Sequence, residues 1–236
     1  MSTPGSRQVP DNLPPVNPAE SMQERGEKLY QLTTQIGCGI KRFEKTGRAQ
    51  LEALIRHGLN PWHKLLDIGC GALCGGWWMI HFLDSGKYRG IEPNTFMFEA
   101  GVKHLVEPGL FEAKQPAFQH NDQYDFSGFG EKFDYFHAHS IWTHAPKKDI
   151  KKMLDGMVEF GNPGARFLTS FKPPDLFHRD YKGDTWVGRS HESDDAGICR
   201  HSYSWIQQAC RSRNLHVELL KEEKIHKQTW ILVHRN

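Results

Sequence analysis

The sequence predicts an α/β fold: a doubly wound, mostly parallel sheet of seven strands with an antiparallel last strand. Three observations carry this reading. Residues 64 to 71, Lys-Leu-Leu-Asp-Ile-Gly-Cys-Gly, are an apolar strand ending in an acid and a Gly-x-Gly turn, and an apolar helix-like run follows from Trp77 to Leu83. Downstream, strand-like and helix-like segments alternate, which implies parallel strands with helices on both faces. Near the end of the chain, His216 to Leu220 and Thr229 to Val233 are strand-like runs joined by a charged connection. That connection is too short for the helix a parallel crossover requires, so the two are antiparallel neighbours.

The elements follow in order. Pro4, Pro10, Pro14, Pro15 and Pro18 stand among polar residues, a composition that buries too little apolar surface to offset its ordering entropy, and residues 1 to 23 are read as a flexible tail. Residues 24 to 62 are read as a helical cap. Leu51, Leu54 and Ile55 lie at helical spacing, and Gly58 with Pro61 ends the helix. This cap is either a lid or a helix packed on the sheet edge. The main domain, residues 63 to 236, opens with the first strand and its helix. Ser85-Gly86 then breaks the chain before a second strand, Tyr88 to Ile91, and a helical stretch from Phe96 to Val106. Phe118 to His120 is a short third strand and Phe133 to His139 a fourth. Ile150, Met153, Leu154, Met157 and Val158 form a helical core stripe, which Gly161-Asn162-Pro163-Gly164 stops.

Composition narrows the function. A chain of 236 residues with 38% hydrophobic content buries one good core. The net charge of +2, from 30 basic and 28 acidic side chains, offers no excess positive field for a polyanion, so nucleic acid is not expected as a partner. No apolar run reaches the roughly 20 residues that span a bilayer, and Met1 to Pro18 has no signal-peptide core. No membrane partner is expected and a cytoplasmic location is. The five cysteines, Cys38, Cys70, Cys74, Cys199 and Cys210, are odd in number and scattered, which fits a reducing compartment rather than a disulfide framework. Cys70 and Cys74 lack a second ligand pair, so no metal is expected.

The Gly-x-Gly turn lets a ligand lie against the main chain and can aim free N–H groups at it. Glu92 closes the second strand 23 positions after Gly69, where a carboxylate accepts both hydroxyls of a ribose. A nucleoside is implied. A dinucleotide fingerprint wants glycine at position 74, where Cys74 stands, so a pyrophosphate cradle is less well supported.

Leu65-Leu66-Asp67-Ile68-Gly69-Cys70-Gly71 and Gly90-Ile91-Glu92 resemble the first two motifs of class I S-adenosylmethionine-dependent methyltransferases, and the resemblance extends over residues 64 to 236. Phe133 to Pro146 is similar to that family's fourth strand and active-site loop, Ala165 to Phe171 to its fifth strand, and Gln228 to Val233 to its last. Leu73 departs from the pattern, standing where the family often has glycine. The resemblance implies the Rossmann-like methyltransferase fold, S-adenosylmethionine as cofactor, and methyl transfer to an oxygen or nitrogen of a small-molecule acceptor. By their match to the motifs, Asp67, Gly69 and Gly71 would contact the methionine portion, with Cys70 in the same turn, Glu92 the ribose and Asp122 the adenine amino group.

Several candidate roles remain. His144 is the candidate general base, on the loop after the fourth strand; the alternative is a capping or buried structural histidine. His137 and His139 share one face of their strand, and His139 is assigned to core or cofactor packing. Lys172 to His201 is too long and polar for a simple connection and is read as a substrate wall, with Tyr181, Trp186 and Arg189 as candidate substrate contacts, joined by Trp142 from the loop after the fourth strand. A nucleic-acid methyltransferase and a non-catalytic cofactor-binding protein stay open as alternatives. So does the methyl acceptor.

Overall fold

A computed structural model describes residues 16–32, 40–191, 193 and 195–235. Most of the expected tail, and Cys38, lie outside the described residues. Seven strands form one sheet in the order β3-β2-β1-β4-β5-β7-β6. They are β1 (Leu65–Ile68), β2 (Tyr88–Ile91), β3 (Ala117–Gln119), β4 (Phe133–Ala138), β5 (Gly161–Phe171), β6 (Leu215–Leu220) and β7 (Thr229–Arg235). β1 pairs in parallel with β2 and β4, β2 with β3, and β4 with β5. β7 runs antiparallel between β5 and β6. This is the predicted architecture, and the antiparallel hairpin sits where the short charged connection required it.

The central strands β1, β4 and β7 are largely buried on both faces because both faces are covered. On one face, α2 (Phe43–Arg56) and α3 (Gly76–Phe82) pack Leu51, Leu54, Met79 and Ile80 against Leu65, Leu168, Trp230 and Leu232. On the other, α6 (Lys147–Phe160) and α7 (Tyr203–Arg211) pack Ile150, Met153, Met157 and Ile206 against Leu66, Phe136, Phe167 and Val233. Leu65 and Leu66, adjacent in sequence, face opposite cores, as a period of two demands.

Three differences from the sequence reading have physical reasons. The predicted helical region before Gly58 is two helices, α1 (Met22–Leu32) and α2, with a 3-10 turn at Ile40–Arg42. α1 packs on α4 (Thr95–Leu105) through Met22, Leu29, Ala100 and Leu105. Arg25 anchors this contact from a buried position, donating to the Leu105 carbonyl at 2.9 Å and pairing with Glu107 at 3.2 Å. α5 (Leu110–Lys114) was not anticipated, since five residues with only Leu110 buried leave no periodic signal. Strand β5 begins at Gly161 rather than Ala165, with a register irregularity opposite Phe133 to Tyr135 absorbing the Asn-Pro-Gly residues.

Candidate active site

The carboxyl ends of β1, β2 and β4 open on a cavity of about 840 Å³, at the point where the strand order reverses between β1 and β4. Its floor is the turn after β1. Gly69 and Gly71 hold positive φ of 74° and 56°, and a side chain at Gly69 would meet Ile141 Cδ1 at 2.1 Å. Leu73 also holds a positive φ, 63°, and is fully buried. Leucine holds this left-handed geometry against its own preference, kept there by the packing around it.

The amides of this turn are not free, contrary to expectation. Those of Gly69 and Cys70 donate to the Ile91 carbonyl at 2.8 and 3.1 Å, and that of Gly71 donates to Glu92 Oε2 at 2.9 Å. Glu92 Oε1 accepts the Asn94 amide at 2.8 Å. The carboxylate is therefore fixed in orientation, and each oxygen retains lone-pair capacity for a further donor. Burial pushes its carboxyl up to about 7, against the lowering effect of both amide hydrogen bonds.

The cavity gathers Gly69, Gly71, Glu92, Asp122, His139, His144, Trp186 and Arg189 from the sequence-derived candidates. Asp122 is exposed on the rim, where a 2.7 Å hydrogen bond from Gln123 is the main reason its carboxyl is held below its ordinary value. Four candidates lie outside the wall. Asp67 is buried one layer deeper, accepting the Tyr88 hydroxyl at 2.7 Å, and burial pushes its carboxyl up to about 7. Cys70 is buried, its thiol pushed up by burial and by the nearby carboxylates of Asp67 and Glu92. Trp142 is a core residue standing edge-on to Phe167. Tyr181 braces the long loop from within, donating to the Thr185 carbonyl at 2.9 Å.

The segment after β5 folds over the β4–α6 loop and is held there by main-chain bonds. The Val187 amide donates to the His144 carbonyl at 2.9 Å and the Cys199 amide to the Thr143 carbonyl at 2.7 Å. His144 Nδ1 lies 2.7 Å from the Val187 carbonyl. A carbonyl only accepts, so Nδ1 carries the hydrogen, and the neutral ring keeps Nε2 as its lone-pair nitrogen. Trp186 stacks on this ring at 5.5 Å. Burial lowers the imidazole's proton affinity, with the Val187 and Gly197 carbonyls acting in the opposite sense.

Sequence reasoning missed His226, Asn94, Met97, Tyr124 and Ile141, all in the wall. A signal for His226 was present. If the last strand is antiparallel, the β6–β7 connection must return to the carboxyl edge of the sheet, where the cavity is. His226 sits there with φ 56°, its ring 5.6 Å from that of His139. His139 stacks on Trp230 at 5.6 Å, and burial lowers its pKa to about 3, so the ring is neutral. Tyr124 had no comparable signal, because it follows a three-residue strand in a left-handed turn conformation.

No protein-family model and no curated protein sequence matches the chain. Solved structures do. Magnesium protoporphyrin IX methyltransferase from Synechocystis PCC 6803, with S-adenosylmethionine bound, superposes with a TM-score of 0.61 at 14% identity, covering 94% of this chain and 100% of that one. DesVI from Streptomyces venezuelae gives 0.61 at 16% identity, over 92% and 99% of the two chains. Human N-acetylserotonin methyltransferase in complex with S-adenosylmethionine gives 0.58 at 14% identity, over 92% of this chain and 57% of that one. The fold is that of class I S-adenosylmethionine-dependent methyltransferases.

Proposed function

We propose that this protein is an enzyme that binds S-adenosylmethionine and transfers its methyl group to an oxygen or nitrogen of a small-molecule acceptor, with His144 as general base. The observation that carries this reading is Glu92, clamped by the Gly71 and Asn94 amides on the wall of the cavity that adjoins the Gly69–Gly71 turn. A carboxylate so fixed, with lone pairs remaining, suits the two hydroxyls of a ribose. The structures of similar fold that were solved with S-adenosylmethionine bound support the same cofactor.

The sulfonium cofactor supplies an electrophilic methyl group when bound. The chain's own contribution is positioning and, for a hydroxyl acceptor, proton removal. Gly69 and Gly71 admit close approach to the backbone, and Asp122 on the rim offers acceptor oxygens for an adenine amino group. Trp186, stacked on His144, and Arg189 line the same cavity, where a planar or anionic acceptor would meet an aromatic edge and a cation. His144 is oriented by the Val187 carbonyl so that Nε2 is its free base, an arrangement that holds the tautomer in place before an acceptor binds.

The test is a pH-rate profile of methyl transfer from labelled cofactor, once an acceptor has been found by screening hydroxyl- and amine-bearing compounds. Wild-type activity is expected to fall on the acid side at a pH below the ordinary imidazole value, since burial lowers the His144 pKa. His144→Ala is expected to lose that limb and roughly 10²- to 10⁴-fold in turnover, with cofactor affinity nearly intact. Superimposable profiles with equal turnover would remove His144 from the chemistry.

A further inference from the structure

Two large apolar side chains stand almost fully in solvent: Leu176 is 97% exposed and Phe177 88%. They are consecutive, and the turn that carries them is built rather than loose. The Asp175 carboxylate accepts the amides of Phe177 and His178 at 3.0 and 2.9 Å, and the amide of Asp175 closes the turn on the His178 carbonyl at 3.0 Å. Arg200 fastens the base, donating to the Pro173 carbonyl at 2.8 Å and pairing with Asp175 at 3.0 Å.

Cations surround this tip. Arg179 follows it in sequence and is exposed. Lys172 precedes it and reaches the Lys227 carbonyl, and its ammonium is destabilised first by burial and then by the charges of Arg200 and Lys227, which places the three together. The patch is thus a two-residue apolar protrusion flanked by Lys172, Arg179 and Lys227, while the one acid of the turn, Asp175, is paired with Arg200. It adjoins the cavity through His226, next to Lys227, and belongs to the same insert that supplies Trp186 and Arg189.

We propose that the Leu176–Phe177 turn is a docking device for an anionic lipid surface, seating the two side chains below the headgroups while Lys172, Arg179 and Lys227 meet the negative charge. The shape argues for a fluid apolar layer over a protein. A stable protein partner needs a broad complementary face, of the order of 800 Å² on each side, whereas a bilayer accepts a narrow wedge and rewards flanking cations. Peripheral docking of this kind requires no membrane-crossing helix, and no described helix is long and apolar enough to be one.

The experiment is co-sedimentation of the full chain with vesicles of phosphatidylcholine alone or of equimolar phosphatidylcholine and phosphatidylglycerol. Binding is expected to the anionic vesicles at low salt, to weaken on adding salt, and to be slight with phosphatidylcholine alone. The double variant Leu176→Ser, Phe177→Ser is expected to bind at least about fivefold less at an unchanged melting temperature, since both side chains are exposed. Arg179→Glu, also exposed, provides a second variant that should weaken binding without touching the apolar tip. The proposal is overturned if wild type stays in the supernatant with anionic vesicles, or if neither variant changes the bound fraction. It is equally overturned if sedimentation velocity shows wild type self-associating through this turn while the double variant is monomeric.

Discussion

Glu92 shows how a single side chain couples the site to the stability of the fold. Its carboxyl is buried and pushed up to about 7 from an ordinary value of 4.5, so the folded state binds this proton more tightly than the unfolded chain does. The contribution of this group is therefore fully present below about 4.5 and is lost as pH rises to about 7, by about 3 kcal/mol at most. His137 and His139, held neutral by burial with pKa values lowered to about 3, act in the opposite sense as pH falls. The wild-type curve mixes the two effects, and a variant separates them. Glu92→Gln has no ionisation at this position, so its stability relative to wild type is expected to rise between pH 5 and pH 7, roughly the interval between the two pKa values. Denaturant titrations at a series of pH values measure this, and parallel curves for the two proteins would show that Glu92 ionises normally.

At the scale of elements, the site depends on how the tips of β4, β5 and β7 are joined. Ser140, two residues beyond the end of β4, holds φ at 64°, a left-handed conformation that serine adopts at a cost of about 1 to 2 kcal/mol. A closed ring of hydrogen bonds keeps it there. The Ser140 amide donates to Ser170 Oγ at 3.0 Å, Ser170 Oγ donates to Gln228 Oε1 at 2.6 Å, and Gln228 Nε2 donates to Ser140 Oγ at 2.7 Å. Residues on either side of Ser140, His139 and Ile141, are both in the cavity wall. Gln228→Ala breaks the ring at two bonds and is expected to lower stability by about 1 to 3 kcal/mol. An unchanged denaturation midpoint would show that the ring does not hold the strand tips.

This ring also marks the limit of what the sequence disclosed. The strands, the α6 stripe and the antiparallel hairpin were legible, because each is written in local periodicity or in the length of one connection. The Gly69–Glu92 pair was legible because strand ends and a fixed spacing bring it together. Ser140 and Gln228 lie 88 residues apart, and no local pattern announces their contact. Trp142 was misplaced on the wall for a related reason: its neighbours in sequence face the cavity, but the chain turns at Ser140 and sends the indole into the core beside Phe167. Asp67 was read at the right strand end, yet the hydroxyl of Tyr88 on the adjacent strand draws its carboxylate inward.

At the scale of the molecule, the parallel sheet brings the carboxyl ends of β1, β2 and β4 to one edge, and the antiparallel β7 returns the β6–β7 connection to that same edge. The insert after β5 closes the space above it. Residues remote in sequence, Gly69, Glu92, His144 and His226, thereby share one cavity of about 840 Å³. The central claim is that this cavity is a site for S-adenosylmethionine with Glu92 on its ribose. Titration calorimetry of the wild-type chain with S-adenosylmethionine, alongside a folded Glu92→Ala variant, tests it most directly. The account predicts saturable one-site binding by wild type, and binding weaker by about 1.5 to 3 kcal/mol in the variant through loss of charge-assisted hydrogen bonds. No binding by wild type, or equal affinity in the two proteins, would contradict it.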